Sequence, residues 1–302
     1  MSETTVRVEV IIPTYNQADF LREALRSVVD QDFSDWKVTV VNNISTDHTH
    51  EVVAAFGNPK IQVVDFANHG VIAASRNHAL NDSCAEFVAF LDSDDWWSPH
   101  KLSQCVARLD QGNDLVCHAE EWRSETFSRV VKYGPQRRTA YRELLLGGNC
   151  LSTSAVVGRT RLFQQVGGFS ERADFVTAED YDLWLRLSKA GCKISLIDDV
   201  LGTFRIHSAS ASSSVARNCA AEMAVVASHL TDGEFSKFTK RRRMGLSHYA
   251  AARAYHKAGD LISARREFAQ AFRFAPFNMR LYAGYGLTVF ERLRSSTSSG
   301  QA

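Results

Sequence analysis

Four short apolar runs, at residues 8–12, 38–41, 61–64 and 87–91, alternate with stretches whose apolar side chains recur at helical spacing. Strand and helix repeated in this order pack as a mostly parallel sheet covered on both faces, because each parallel neighbour needs a crossover to bring the chain back. Phe20, Leu21, Leu25, Val28 and Val29 mark a first helix from about Asp19. Ser45, Thr46 and Asp47 offer side-chain oxygens to cap a second through Val52 and Val53, and a third covers 72–80. Open sheets of this kind bind ligands beyond the carboxyl ends of their strands. Each of those ends here carries polar or acidic residues.

The fourth run delivers Asp92-Ser93-Asp94-Asp95. Three carboxylates within four residues repel one another, so the cluster is costly unless a cation or a cationic ligand group offsets it. A hard divalent ion meets that need, and phosphates supply the oxygen anions such an ion wants in turn. Ordinary capping of a helix that begins at Ser98-Pro99 is the competing account. A calcium loop of the EF-hand type fits worse, because Trp96-Trp97 stand where a turn glycine and alternating ligands would be required.

With 302 residues, 45% hydrophobic composition and a net charge of +1, the chain can build one sizeable α/β domain plus a smaller appendage. Nothing in that charge points to nucleic acid. No apolar run approaches the ~18 residues of a membrane span, and the first strand leaves no room for a signal peptide, so a cytoplasmic location is expected. Cys84, Cys105, Cys117, Cys150, Cys192 and Cys219 form no CxxC pair and read as reduced thiols.

Beyond residue 110 the pattern loosens into mixed sheet, with strands at 115–118 and 155–157 and a turn at Gly167-Gly168-Phe169. An amphipathic helix over 178–189 carries Glu179, Asp180 and Asp182 in its first turns, where the helix dipole favours acids. A serine-rich loop at 208–214 leads to a helical C-terminal region, and the domains are expected to be 1–230 and 231–302. Tyr255, Ala264, Phe268, Ala271 and Pro276 have the spacing of one tetratricopeptide-like repeat, a hairpin over about 247–278. A further helix is expected near 281–293 and a disordered tail after 295.

Taken in order, Val10-Ile11-Ile12-Pro13-Thr14-Tyr15-Asn16, Val40-Val41-Asn42-Asn43-Ile44-Ser45-Thr46-Asp47, Arg76-Asn77, Leu91-Asp92-Ser93-Asp94-Asp95 and Glu179-Asp180-Tyr181-Asp182-Leu183-Trp184 resemble the family 2 glycosyltransferases over residues 6–210. The resemblance implies a Rossmann-like GT-A fold, a nucleotide-sugar donor, Mn²⁺ or Mg²⁺, and inversion at the anomeric carbon. It assigns the metal to Asp94 with Asp92 assisting, and the donor diphosphate to the same loop with Ser93 and to Arg76. Pro13 fixes the backbone beside Tyr15, whose ring can stack on a nucleobase. Asn42-Asn43 depart from the two aspartates common in the family. An asparagine carbonyl can still accept the imide hydrogen of uracil, so UDP is the first choice and GDP and dTDP stay open. Asp180 is the implied base toward the acceptor hydroxyl, and Glu179 beside it raises the apparent pKa of the pair. Arg205-Ile206-His207 looks like an Arg-x-His element that closes the donor site, with His207 on the diphosphate or the metal.

No Gln-x-x-Arg-Trp element of processive synthases is present, which favours transfer of one sugar to a glycan or lipid-linked glycan acceptor in bacterial cell-surface polysaccharide synthesis. The acceptor is expected to meet residues 122–133 and 149–154. Lys237 and Lys240-Arg241-Arg242-Arg243, near Phe235 and Phe238, suggest peripheral contact with an anionic membrane. The C-terminal helices offer a surface for a protein partner or a second copy of the chain. A binding or scaffold protein without transferase activity is the alternative, though it would have no physical reason to keep Asp94 and Asp180. The first strand lacks the glycine-rich phosphate loop of a nucleotidyltransferase and the G-x-G-x-x-G of a dehydrogenase.

Overall fold

The computed structural model describes residues 6–207, 210, 214–230, 233–274, 276 and 285. Two compact units emerge, one of Met1–Ala173 with Glu179–Ser210, the other of Asp174–Ala178 with Ala211–Ala302. Most of the serine-rich loop, the helix expected at 281–293 and the tail after 295 lie outside the described residues.

The first unit begins with β1 (Val8–Thr14), α1 (Ala18–Val29), β2 (Trp36–Asn42), α2 (Thr49–Ala55), β3 (Ile61–Asp65), α3 (Ile72–Asp82) and β4 (Phe87–Phe90). These strands lie side by side in the order β3-β2-β1-β4, all parallel, as the alternation requires. Strand β1 runs two residues past the expected stop, through Pro13 and Thr14, which face Val41 and Asn42. Proline is tolerated because side alternates along a strand. Ile11 accepts from Leu91, the residue just after β4, so Pro13 turns its missing N–H toward the same side, where β4 pairing has ended.

After β4 come β5 (Trp96–Trp97), α4 (Lys101–Asp110), β6 (Leu115–Arg123), β7 (Ser128–Val131), α5 (Tyr141–Gly147), β8 (Val156–Arg159), α6 (Thr160–Gln165), α7 (Glu179–Lys189) and β9 (Ile194–Arg205). The sheet continues β4-β8-β6-β9-β5, with β7 on β6. Strand β8 is antiparallel to both its neighbours, whereas β6 and β9 are parallel. Two-residue β5 pairs with Gly202 and Thr203 of β9, so the acidic loop is pinned between β4 and β5.

Val10, Ile12, Leu21, Leu25, Val38, Val40, Phe87 and Leu102 fill one core layer between sheet and helices. Burying each such side chain contributes roughly 1.5–3 kcal/mol. All six cysteines are free thiols, three of them buried.

In the second unit are α8 (Val215–His229), α9 (Lys237–Lys257) and α10 (Leu261–Phe274). Helices α9 and α10 form a hairpin over the segment read as a tetratricopeptide-like repeat. Small Ala251, Ala252, Ala264 and Ala271 let the helices approach around buried Phe268. The basic cluster at the start of α9 is not one solvated face. Arg243 is buried and donates to Ser247 Oγ (2.6 Å) and Glu222 Oε1 (3.2 Å), and Arg241 donates to the carbonyl of Arg273 (2.7 Å) at the end of α10. Phe235 is buried, while Phe238 is 75% exposed. No helix among the described residues is long and apolar enough to cross a membrane.

Candidate active site

The loop after β4 holds its acids by long-range contacts. Ser154, in the turn before β8, donates its hydroxyl to Asp95 Oδ2 (2.6 Å) and accepts the Asp92 N–H (3.1 Å). The Arg205 N–H reaches Asp95 Oδ1 (2.8 Å), and the Arg205 guanidinium donates to the Asp94 carbonyl (2.9 Å) and to Glu23. That guanidinium lies between the Phe20 and Trp96 rings, 4.6 and 4.5 Å from their centroids. His207 then places Nε2 at 2.9 Å from Asp94 Oδ2, with its ring 5.0 Å from Phe20.

Burial is the main cause that raises Asp94, the Asp92 charge adds to it, and His207 opposes both. Asp95 is pushed well above the usual carboxylate range, first by burial and then by Asp94, Asp92 and Glu120. Ser93 is turned away, donating to Gln17 Oε1 (2.6 Å).

The second acidic element is α7. Arg76, buried on α3, donates to Asp92 Oδ1 (2.5 Å) and to Glu179 Oε1 (2.8 Å), so one guanidinium links the loop after β4 to the start of α7. Burial works against its charge, but Asp92, Glu179 and Asp180 outweigh this and raise its pKa. Its Nε is buried without a hydrogen-bond partner among the described residues, a donor left over for an anion.

Asp180 accepts the Tyr181 N–H (2.6 Å) and more loosely Thr153 Oγ1 (3.3 Å) and Asn149 Nδ2 (3.4 Å). Burial and then the Glu179 charge push it up to about 7. Residues 149–154, expected to meet an acceptor, thus stand beside Asp180. The same segment supplies Ser152, which with Tyr133 donates to Glu120, itself pushed up to about 7 chiefly by burial.

At the far end of the parallel strands, Tyr15 follows Pro13 with 55% of its surface exposed. Asn42 does not present itself there. It is 1% exposed, donates to Asp65 Oδ1 (2.7 Å) and accepts the Ser45 N–H (3.1 Å). Asn43 accepts the Asn68 N–H (2.9 Å).

Arg76, Asp92, Asp94, Glu179, Asp180 and His207 therefore form one contiguous group, Pro13 and Tyr15 lie two strands from β3, and Ser93 and Asn42 are spent on internal bonds. No three His, Cys, Asp or Glu side chains among the described residues already converge as a metal cage. Asp94 and His207 nevertheless set an oxygen and a nitrogen donor side by side, with Asp92 next to them, a donor set that suits Mn²⁺. Glu120 and the roles of Ser154 and Asp95 escape sequence reasoning, because their partners come from segments far away in the chain. Asp95 alone leaves a signal, as the third acid of the cluster.

Among solved structures, that of S. aureus TarS 1-349 in complex with UDP-GlcNAc superposes with a TM-score of 0.67 at 20% identity, covering 98% of this chain and 92% of that one. The mannosyltransferase PcManGT from Pyrobaculum calidifontis, in complex with GDP-Man and Mn²⁺, gives 0.63 at 22% identity, covering 98% and 84%. The parallel half-sheet, the antiparallel β8 and the acidic loop between β4 and β5 thus make a GT-A fold. In sequence, UDP-Glc:alpha-D-GlcNAc-diphosphoundecaprenol beta-1,3-glucosyltransferase WfgD of Escherichia coli is 31% identical over 184 residues, 60% of this chain and 70% of that protein. Residues 9–167 match the family described as glycosyl transferase family 2, and the chain belongs to that family.

Proposed function

We propose that this chain is an inverting, metal-dependent transferase that moves one sugar from a UDP-sugar to a glycan or lipid-linked glycan acceptor in bacterial cell-surface polysaccharide synthesis. The observation that carries this is the double contact of Arg76, which sets a cation-seeking acid loop and a carboxyl of raised pKa into one site. Asp180, poised near neutrality, takes the proton of the acceptor hydroxyl as that oxygen attacks the anomeric carbon from the face opposite the diphosphate. Arg76 offers its unpartnered Nε to a diphosphate oxygen, and Tyr15 offers a ring face to the base.

A bound Mn²⁺ or Mg²⁺, held by Asp94, Asp92 and His207, would supply charge neutralisation at the leaving diphosphate. The names of relatives support the substrate class, since WfgD acts on a diphosphoundecaprenol-linked sugar and TarS is seen with UDP-GlcNAc. Peripheral contact with an anionic membrane through the start of α9 belongs to the same proposal, because a lipid-linked acceptor lies at such a surface.

The test is a hydrolysis and binding screen of purified protein across nucleotide sugars, with Mn²⁺ and with chelator. Metal-dependent turnover of a UDP-sugar is expected. Absence of binding and turnover with every donor overturns the proposal.

A further inference from the structure

We infer that Glu120, buried on β6, is a positioning residue that acts through Ser152 and Thr153 to aim Asp180 at the acceptor hydroxyl. This rests on the transferase function proposed above and gives its base a frame.

In the turn before β8, consecutive hydroxyls meet different acids. Ser152 donates to Glu120 Oε1 (3.1 Å), Thr153 to Asp180 Oδ2 (3.3 Å) and Ser154 to Asp95 Oδ2 (2.6 Å). Asp180 Oδ1 is held by the Tyr181 N–H at 2.6 Å, whereas Oδ2 has only the longer contacts from Thr153 and from Asn149 Nδ2 (3.4 Å). Oδ2 is therefore the oxygen left to take a proton, and its aim depends on where Thr153 lies. Ser154 fixes one side of Thr153, and Glu120 fixes the other through Ser152.

Glu120 is 1% exposed, and hydroxyls take both of its oxygens, Ser152 at Oε1 and Tyr133 at Oε2. A buried carboxyl held by hydroxyls alone is costly, and an apolar side chain of similar volume would fill the same space at lower cost. What the carboxyl adds is direction, two bonds that fix the turn. The backbone is shaped to deliver it. Val200 of β9 faces Ala119 and Gly202 faces Glu120, so Leu201 has no counterpart and the pairing is irregular at this step. Such a bulge re-aims the side chains beside it. A Cβ on Gly202 would stand 3.0 Å from His118 Cε1 and 3.3 Å from Trp97 Cδ1, so the close approach of β9 relies on glycine. Trp97 Nε1 in turn donates to the Ser154 carbonyl (2.8 Å), which closes the frame.

Steady-state hydrolysis of the nucleotide sugar that wild type turns over fastest, with Mn²⁺ present and water in the acceptor's place, tests this on the full chain. Ser152→Ala and Glu120→Ala should each lower kcat about ten- to a hundredfold while the donor KM stays within about threefold, because the base is misaimed and the donor site is untouched. Glu120→Gln, whose carbonyl still accepts one hydroxyl, should restore most of the lost rate. Thr153→Val cuts the last link, so Glu120→Ala combined with it should lose no more than the worse single variant. Should Glu120→Ala fail to fold, Ser152→Ala carries the test, since it breaks the same link and leaves the carboxyl its Tyr133 bond. A wild-type kcat in Ser152→Ala, or losses that multiply in the double variant, overturns the inference while the transferase function stands. Failure of wild type to turn over any nucleotide sugar removes both.

Discussion

Asp180 carries a pH signature that bears directly on the proposed transfer. Its carboxyl is lifted to about 7 by burial and the neighbouring Glu179, so sugar transfer should rise with pH and level off above about 7. Asp180→Asn should lower turnover by about two to four powers of ten without loss of the fold, as measured by steady-state kinetics beside thermal melts. Stability should move the other way. A carboxyl with a raised folded-state pKa holds its proton in the native state between about 4 and 7 and loses it sooner when unfolded, so wild-type stability falls as pH rises through that window. Asp180→Asn should therefore melt higher than wild type at pH 8, and the advantage should vanish as pH falls toward 4. The acids that the sequence sets apart, Asp92, Asp94 and Asp180, are ones the structure gathers around Arg76 and His207, while their roles stay proposals. What stays illegible is who faces whom. Nothing local tells that Asn42 is turned inward, onto Asp65.

Ser154 is a clip between two elements. Its hydroxyl serves both Asp95 and the Asp92 amide, so Ser154→Ala leaves buried polar groups without partners, at a cost of about 1–3 kcal/mol. A drop of roughly 2–8 °C in the melting midpoint is expected, together with weaker metal-dependent donor binding as the acid loop loosens. Differential scanning fluorimetry and titration of Mn²⁺ against activity check the two effects. The four parallel strands and α7 were readable from periodicity because each is one uninterrupted apolar pattern. Strand β9 was not, since Asp198-Asp199 sit in its middle. The register with β6 jumps from Ile197 opposite His118 to Val200 opposite Ala119, so the two acids bulge out and the pairing resumes beyond them. Strand β5 is too short to have a period at all, although it is what pins the acid loop.

Charge is divided unevenly along the chain. Residues 211–302 hold fourteen Lys and Arg against six Asp and Glu, a net of +8, and residues 1–210 hold twenty-one against twenty-eight, a net of −7. The overall +1 hides this opposition. Even with Arg243 buried and Arg241 occupied, Lys237 and Arg242 flank exposed Phe238. Vesicles rich in anionic lipid should therefore float with the protein at low salt and release it near ~1 M salt, where the Debye length shrinks to about 3 Å. Neutral vesicles should not bind, and Phe238→Ser should weaken the anionic case. The family-matching segment ends at residue 167, ahead of Glu179. Since Arg76 is shared between Asp92 and Glu179, 16 and 103 positions away, a chain halted at that boundary keeps every N-terminal motif yet lacks one of the two anions its buried guanidinium is set between. The interior cation meets its second counterion only once α7 is in place, so the pairing that joins the two acidic elements waits on a helix beyond the family-matching segment.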